Sequence, residues 1–226
     1  LPAFIVFLWH YVTCDRIAAY YGDAFTKDSS NSNDKDPFFS RHYLDIYGSR
    51  TLLQHQSSLA VDQNSKKKPV IIFLTGGAWI IGYRMWGTLL ARALVPFGIL
   101  VVMPDYRNSP RVNIDVMVQD CDMSIQWVLD NIEQYGGDSE KVVLVGQSAG
   151  AHIGGTIVAM KVLDWLLKER AQEGQPMLKS TYSPNELCGF ISTSSPHNLV
   201  SMRPVFHHHG LSSSVQRSIF GGEGEE

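Results

Sequence analysis

The stretch KVVLVGQSAGAHIGGTIVAM, Lys141 to Met160, limits what this chain can fold into more than any other. Val142, Val143, Leu144 and Val145 form a short, largely β-branched run of the length a buried parallel strand needs. Gly146-Gln147-Ser148-Ala149-Gly150 follows without a spacer, and a helix of small residues is expected after it. Glycine is common enough for a G-x-S-x-G pentapeptide to arise by chance. Between a strand and a helix it becomes specific, because small residues two positions before and after the serine let the two backbones approach at a sharp turn. Ser148 would then stand at the carboxyl edge of a sheet. The helix beginning there aims unpaired N–H groups and its positive dipole end at the same spot. The plainer alternative is a Gly/Ser/Ala turn needed only for packing.

The flanking pattern repeats this alternation. His42 to Tyr47 alternates as a strand, with Tyr43, Asp45 and Tyr47 on one face and Leu44 and Ile46 on the other. Pro69 to Leu74 is continuously apolar, a candidate central strand, and Thr75-Gly76-Gly77-Ala78-Trp79 follows it directly. Arg84 to Val95 suits a helix, Ile99 to Met103 another buried strand, and Val116 to Tyr135 a helix stopped by Gly136-Gly137. Leu187 to Thr193 returns as a strand, and from Ser194 onward the pattern weakens. Asp28 to Asp36 and Gln54 to Lys68 read as polar loops. Strands alternating with helices predict an α/β fold, a mostly parallel sheet with helices on both faces. Its site belongs at the carboxyl ends of the strands. The expected division is an N-terminal apolar segment over 1–27 and an α/β domain over 40–226.

With 226 residues, 44% hydrophobic and a formal charge of -3, the chain has enough apolar side chains for one sizeable core and no electrostatic case for a nucleic-acid partner. Lys66-Lys67-Lys68 is a single run, read as a solvated loop edge. Cys14, Cys121 and Cys188 are odd in number and far apart, which indicates neither a disulfide framework nor a C-x-x-C metal site and fits a reducing, cytoplasmic compartment. Leu1 to Val12 is apolar but short of the roughly 20 residues that cross a bilayer. It is read equally as the remnant of a membrane span, an interfacial helix or a core-packing helix, with Trp9, Tyr11, Tyr20 and Tyr21 favouring an interface.

Acyl transfer needs a nucleophile, a base, a group orienting the base, and donors for the oxyanion. Ser148 supplies the first. The N–H of Ala149 and those of the Gly76-Gly77-Ala78 loop can supply the last, glycine allowing the backbone itself to approach a substrate oxygen. A strand-ending turn is the alternative reading of Gly76-Gly77. With Leu74 to Gly82, Met103-Pro104-Asp105-Tyr106-Arg107, and Tyr135-Gly136-Gly137-Asp138 leading to Gly146 through His152, the chain resembles the α/β-hydrolase family in its lipase/esterase branch. Within it, T-G-G-A-W with G-Q-S-A-G-A-H is most similar to isoprenylcysteine α-carbonyl methylesterases. The resemblance spans Tyr43 to Phe220. It implies hydrolysis of a prenylcysteine methyl ester, as a small molecule or a prenylated peptide, at an endoplasmic reticulum or Golgi membrane. It also implies no metal or organic cofactor, with Ser148 as nucleophile and Gly76, Gly77 and Ala149 as the oxyanion hole. Thr75 stands where the family commonly has a histidine that orients the loop. Trp79, Ile80, Ile81 and Trp86 are candidate apolar walls for the substrate, or core.

The remaining triad members are not identifiable in this chain. The resemblance places an acid and then a histidine after two later strands, and beyond Ser148 only one convincing strand follows. Asp164 sits inside the elbow helix. Glu169, Glu173 and Glu186 lie on that helix or its exit, and Glu223, Glu225 and Glu226 in a glycine-rich tail. His152 is read as packing locally, His197 as one strand too early, and His207-His208-His209 as surface or substrate-side rather than a base or a zinc site. Asp105 and Asp138 look like loop-fixing residues. The chain is therefore expected to be truncated at its C-terminal end, leaving one sheet edge uncovered, or to fold as given with most catalysis lost. The rival functions are an arylformamidase or general carboxylesterase, and a catalytically incompetent binding module.

Overall fold

The computed structural model of the chain describes residues 2–21, 41–48, 66–169 and 176–221. The loop expected over 28–36 and most of the one expected before Lys68 lie outside those residues. The strands are β1 (Arg16–Tyr20), β2 (Tyr43–Tyr47), β3 (Lys68–Leu74), β4 (Leu100–Pro104), β5 (Gly137–Gln147) and β6 (Gly189–Thr193). The helices are α1 (Pro2–Thr13), α2 (Thr88–Leu94), α3 (Ile114–Asn131), α4 (Ala149–Glu169), α5 (Leu199–His208) and α6 (Ser213–Phe220).

Among the described residues, six strands join one sheet in the order β1-β2-β4-β3-β5-β6. The apolar runs of β3, β4 and β5 lie side by side and parallel at its centre, and β6 adds parallel to β5. β1 and β2 enter antiparallel. The fold is thus the expected α/β class, a mostly parallel mixed sheet.

One face carries the main core. Ile72, Leu74, Val142 and Leu144 pack against Met117, Cys121, Ile125 and Val128 of α3 and Ile153 and Ile157 of α4. Each such large apolar side chain, taken fully out of water, contributes about 1.5–3 kcal/mol. On the other face Tyr47, Val101 and Met103 meet Ala91 of α2, with Ile71 and Phe73 beside them. That second cover thins toward the edge, where Val143 and Val145 are half-buried and Ile191 is 54% exposed. Asn113 starts α3, its side chain accepting from the Val116 N–H, and Gly136, at φ 82°, ends the 3-10 turn that follows it.

Two regions carry elements that the sequence reading did not name. The segment over 1–27 contains β1, which pairs along its whole length with β2. α1 packs against α2, with His10 Nδ1 2.6 Å from Arg92 Nη1, while Ile5, Leu8, Trp9 and Val12 stay exposed. Among the described residues no helix is long and apolar enough to cross a membrane. After β6, where the pattern weakens, the chain forms α5 and α6. α5 has no buried residue and α6 buries only Gln216 and Ile219.

Candidate active site

β5 ends at Gln147, α4 begins at Ala149, and Ser148 makes the turn between them with φ 52°. A non-glycine residue in the left-handed region costs of order 1–3 kcal/mol and persists only where its surroundings fix it. Here the fixing contacts are explicit. Ser148 N–H donates to Thr193 O at 2.8 Å, and Ser148 O accepts from the His152 N–H at 3.0 Å. Gly150 lets the start of α4 press against β3, since a Cβ there would stand 2.2 Å from Leu74 O. The serine side chain is half-buried at the carboxyl edge of the sheet.

The glycine loop after β3 comes to the same point. A Cβ on Gly76 would lie 2.9 Å from Gln147 O and 3.1 Å from Ser148 Cβ, so only a backbone this bare fits against the serine. Gly77 (φ 132°), Ala78 (φ 49°) and Trp79 (φ 61°) follow in a run of positive φ. Ala149 is the first residue of α4, where N–H groups have no partner within the helix. Gly76 and Ala149 therefore stand beside Ser148, with Gly77 next in the loop.

The loop is held through its backbone carbonyls. The Thr75 hydroxyl is buried and makes no hydrogen bond. Tyr106 Oη instead donates to Thr75 O at 2.8 Å, and Asn108 Nδ2 to Gly82 O at 2.9 Å. Asp105 fixes this loop as anticipated, its carboxylate taking Arg41 and Arg84. Asp138 pairs with Lys141 and accepts from the Glu140 N–H at 3.2 Å.

Of the proposed apolar walls, Trp79 is 2% exposed and packs edge-on against His152, Phe206 and Phe220 at centroid distances of 5.6, 5.8 and 4.9 Å. Ile80 is half-buried, whereas Ile81 and Trp86 are exposed and face solvent. Phe206 and Phe220 thus tie α5 and α6 to the loop that adjoins Ser148.

Among the described residues no hydrogen bond joins the Ser148 hydroxyl to a histidine. His152 packs locally, its Nδ1 buried without a partner, and burial together with nearby His197 holds its imidazole below the usual value. His207, His208 and His209 are exposed at the end of α5, and no group of three metal-ligating side chains occurs among the described residues. His42 does touch a carboxylate, Asp120 Oδ1 at 3.2 Å, but both are fully buried. Burial pushes Asp120 up, and the hydrogen bonds from His42 and Arg107 outweigh it and hold the carboxyl below its usual range. That pair is structural. Asp164 caps the Met177 N–H, and Glu186 accepts from the Ser183 N–H in a capping box. The side chain of Glu169, and Glu173, Glu223, Glu225 and Glu226, lie outside the described residues.

His197 is the histidine whose setting the sequence did not reveal. It closes the loop after β6, with Nε2 3.1 Å from Ser192 Oγ and Nδ1 3.2 Å from Ser195 Oγ. Three serines in the five residues before the histidine, S-T-S-S-P-H, were the signal available.

The BD-FAE family model matches residues 59–225. A probable isoprenylcysteine alpha-carbonyl methylesterase of Oryza sativa subsp. japonica is 47% identical over 156 residues, which cover 69% of this chain and 35% of that protein. An isoprenylcysteine alpha-carbonyl methylesterase of Arabidopsis thaliana is 39% identical, over 71% of this chain and 35% of its own length. The chain thus spans about a third of these curated relatives. In structure it is similar to esterase B from Lactobacillus rhamnosis, with a TM-score of 0.51 at 20% identity, over 75% of this chain and 50% of that one. That likeness shows the fold. With the strand-turn-helix around Ser148, the glycine loop against it and a family match over most of its length, this chain belongs to the BD-FAE family of α/β-hydrolase proteins.

Proposed function

We propose that this chain is a serine carboxylic-ester hydrolase working through an acyl-enzyme on Ser148. The observation that carries the reading is the left-handed Ser148 turn with Gly76 packed on its Cβ. In this reading Ser148 Oγ attacks the ester carbonyl, the N–H groups of Gly76, Gly77 and Ala149 receive the oxyanion, and the alcohol leaves before water releases the acid. Each oxyanion donor is worth about 10² to 10³ in rate. The chemistry calls for no metal or organic cofactor.

The names of the plant relatives support a hydrophobic methyl ester, such as a prenylcysteine methyl ester, as substrate. The same site chemistry serves an arylformamidase or a general carboxylesterase. An endoplasmic reticulum or Golgi membrane is the matching location, and Ile5, Leu8, Trp9 and Val12, exposed at i, i+3, i+4 and i+7, give α1 an apolar stripe to lay on it. Sedimentation with lipid vesicles that Trp9→Glu leaves unchanged would remove that part. A second reading, a binding module without turnover, is favoured by the lack of a histidine on the Ser148 hydroxyl among the described residues.

The deciding experiment is labelling of the purified chain with a fluorophosphonate, mapped by peptide mass. It is run beside hydrolysis of S-farnesylcysteine methyl ester, N-formylkynurenine and a short-chain aryl ester. An adduct on Ser148 with faster turnover of the prenyl ester is the expected result. A folded chain that forms no adduct at Ser148 ends the esterase reading and leaves the binding module.

A further inference from the structure

We propose that Ser192 is a second acyl- and phosphonyl-accepting serine, activated by His197 and independent of Ser148. A nucleophile, a base and a group orienting the base are in hydrogen-bond reach here, and among the described residues this holds at β6 and not at Ser148. Neutral imidazole offers one N–H and one lone pair. With its hydrogen on Nδ1, donated to Ser195 Oγ at 3.2 Å, His197 presents Nε2 as acceptor to the Ser192 hydroxyl at 3.1 Å.

The cluster is fixed by the fold. Ser192 is the penultimate residue of β6, paired with Gly146 of β5, and the carbonyl of the next residue, Thr193, takes the Ser148 N–H. The loop then reverses through Ser194, at φ 54°, which brings His197 back over the strand. The imidazole is backed by α4, its Cε1 3.3 Å from where a Cβ on Gly155 would be. Ser192 and His197 are both exposed, so a reagent in solution reaches them.

The chemistry this trio can run is narrower than that of a full triad. Ser195 contributes a neutral hydroxyl, so no negative charge stabilises the imidazolium that forms. The electrophile must therefore carry a leaving group that departs as an anion without protonation, which selects aryl esters and fluorophosphonates over alkyl esters. In the step, Ser192 Oγ forms a bond to the carbonyl carbon or phosphorus and its proton passes to His197 Nε2. The bond to phenolate or fluoride breaks with its electron pair, and the imidazolium gives its proton to solvent.

The test is site-resolved labelling of the full chain with a fluorophosphonate, comparing the parent with Ser148→Ala, Ser192→Ala, Ser195→Ala and His197→Phe, each checked for folding by circular dichroism. The expected result is a Ser192 adduct that persists in Ser148→Ala and forms at least tenfold more slowly in His197→Phe. Ser195→Ala should slow it several-fold. No Ser192 adduct at saturating reagent, an adduct on Ser195 instead, or a Ser192 rate indifferent to His197→Phe overturns the proposal. Because adducts are assigned by peptide, the Ser148 result bears on the ester-hydrolase reading alone and the Ser192 result on this one.

Discussion

The elbow at the end of β5 and the edge beginning at β6 are neighbours built on opposite principles. At the elbow, backbones touch. Gly76 and Gly150 leave no room for a methyl group, and Ser148 holds a left-handed φ because hydrogen bonds on both sides require it. At the edge, side chains do the work. Gly189 has nothing within 4 Å of a would-be Cβ, Ile191 faces water, and α5 and α6 are attached through Phe206 and Phe220 on Trp79. The difference teaches that one motif can be geometrically exact while the elements around it tolerate change, and it predicts a graded response to mutation.

The sharpest break comes from Ser148→Ala, which should abolish the Ser148 adduct and lower ester turnover by about 10³-fold or more, read by initial rates with an alkyl ester, S-farnesylcysteine methyl ester. Next is a contrast of two glycines. Gly150→Ala forces a methyl group to 2.2 Å from Leu74 O and should cost about 3 kcal/mol in urea unfolding, whereas Gly189→Ala should stay within about 0.5 kcal/mol of the parent. Equal costs would erase the distinction between the two regions. Phe220→Ala removes a half-buried ring 4.9 Å from Trp79 and should cost about 1–2 kcal/mol. Hydrogen exchange should accelerate in α6 while α4 is unchanged.

The smallest effect is pH-dependent. His152 titrates below its ordinary value of 6.5, through burial first and His197 second. The unfolded chain therefore binds more protons between the lowered value and 6.5, so stability is full above that window and declines as pH falls through it. His152→Phe should flatten the slope seen in urea titrations as pH falls below 6.5.

What the sequence made legible follows the same divide. β3, β4 and β5 announce themselves as apolar runs because they form the parallel centre of the sheet, and the elbow does so because its glycines sit at fixed offsets from the serine. β1 did not, since Arg-Ile-Ala-Ala-Tyr carries little β-branching and follows an apolar helix. α5 was masked by Pro204 and three histidines, and α6 by a serine-rich start. The loop-holding roles of Tyr106 and of Arg41 and Arg84 depend on chain segments brought together only by folding, so no local spacing signals them. Thr75 is held in the same way: its hydroxyl is buried without a partner, and the contact that fixes it is Tyr106 Oη on its carbonyl.

The hydrogen bond from Ser148 N–H to Thr193 O has a dynamic consequence. It places the Ser148 amide in the same cooperative opening unit as β6, not in that of the deeply protected centre. An excursion in which β6 frays would release this amide first and let the turn relax from its left-handed conformation. The Ser148 amide should therefore exchange with solvent deuterium at the pace of Phe190 and Ile191 and far ahead of Leu144. Under the proposal that Ser148 is the nucleophile, its attack would then be gated by the breathing of β6.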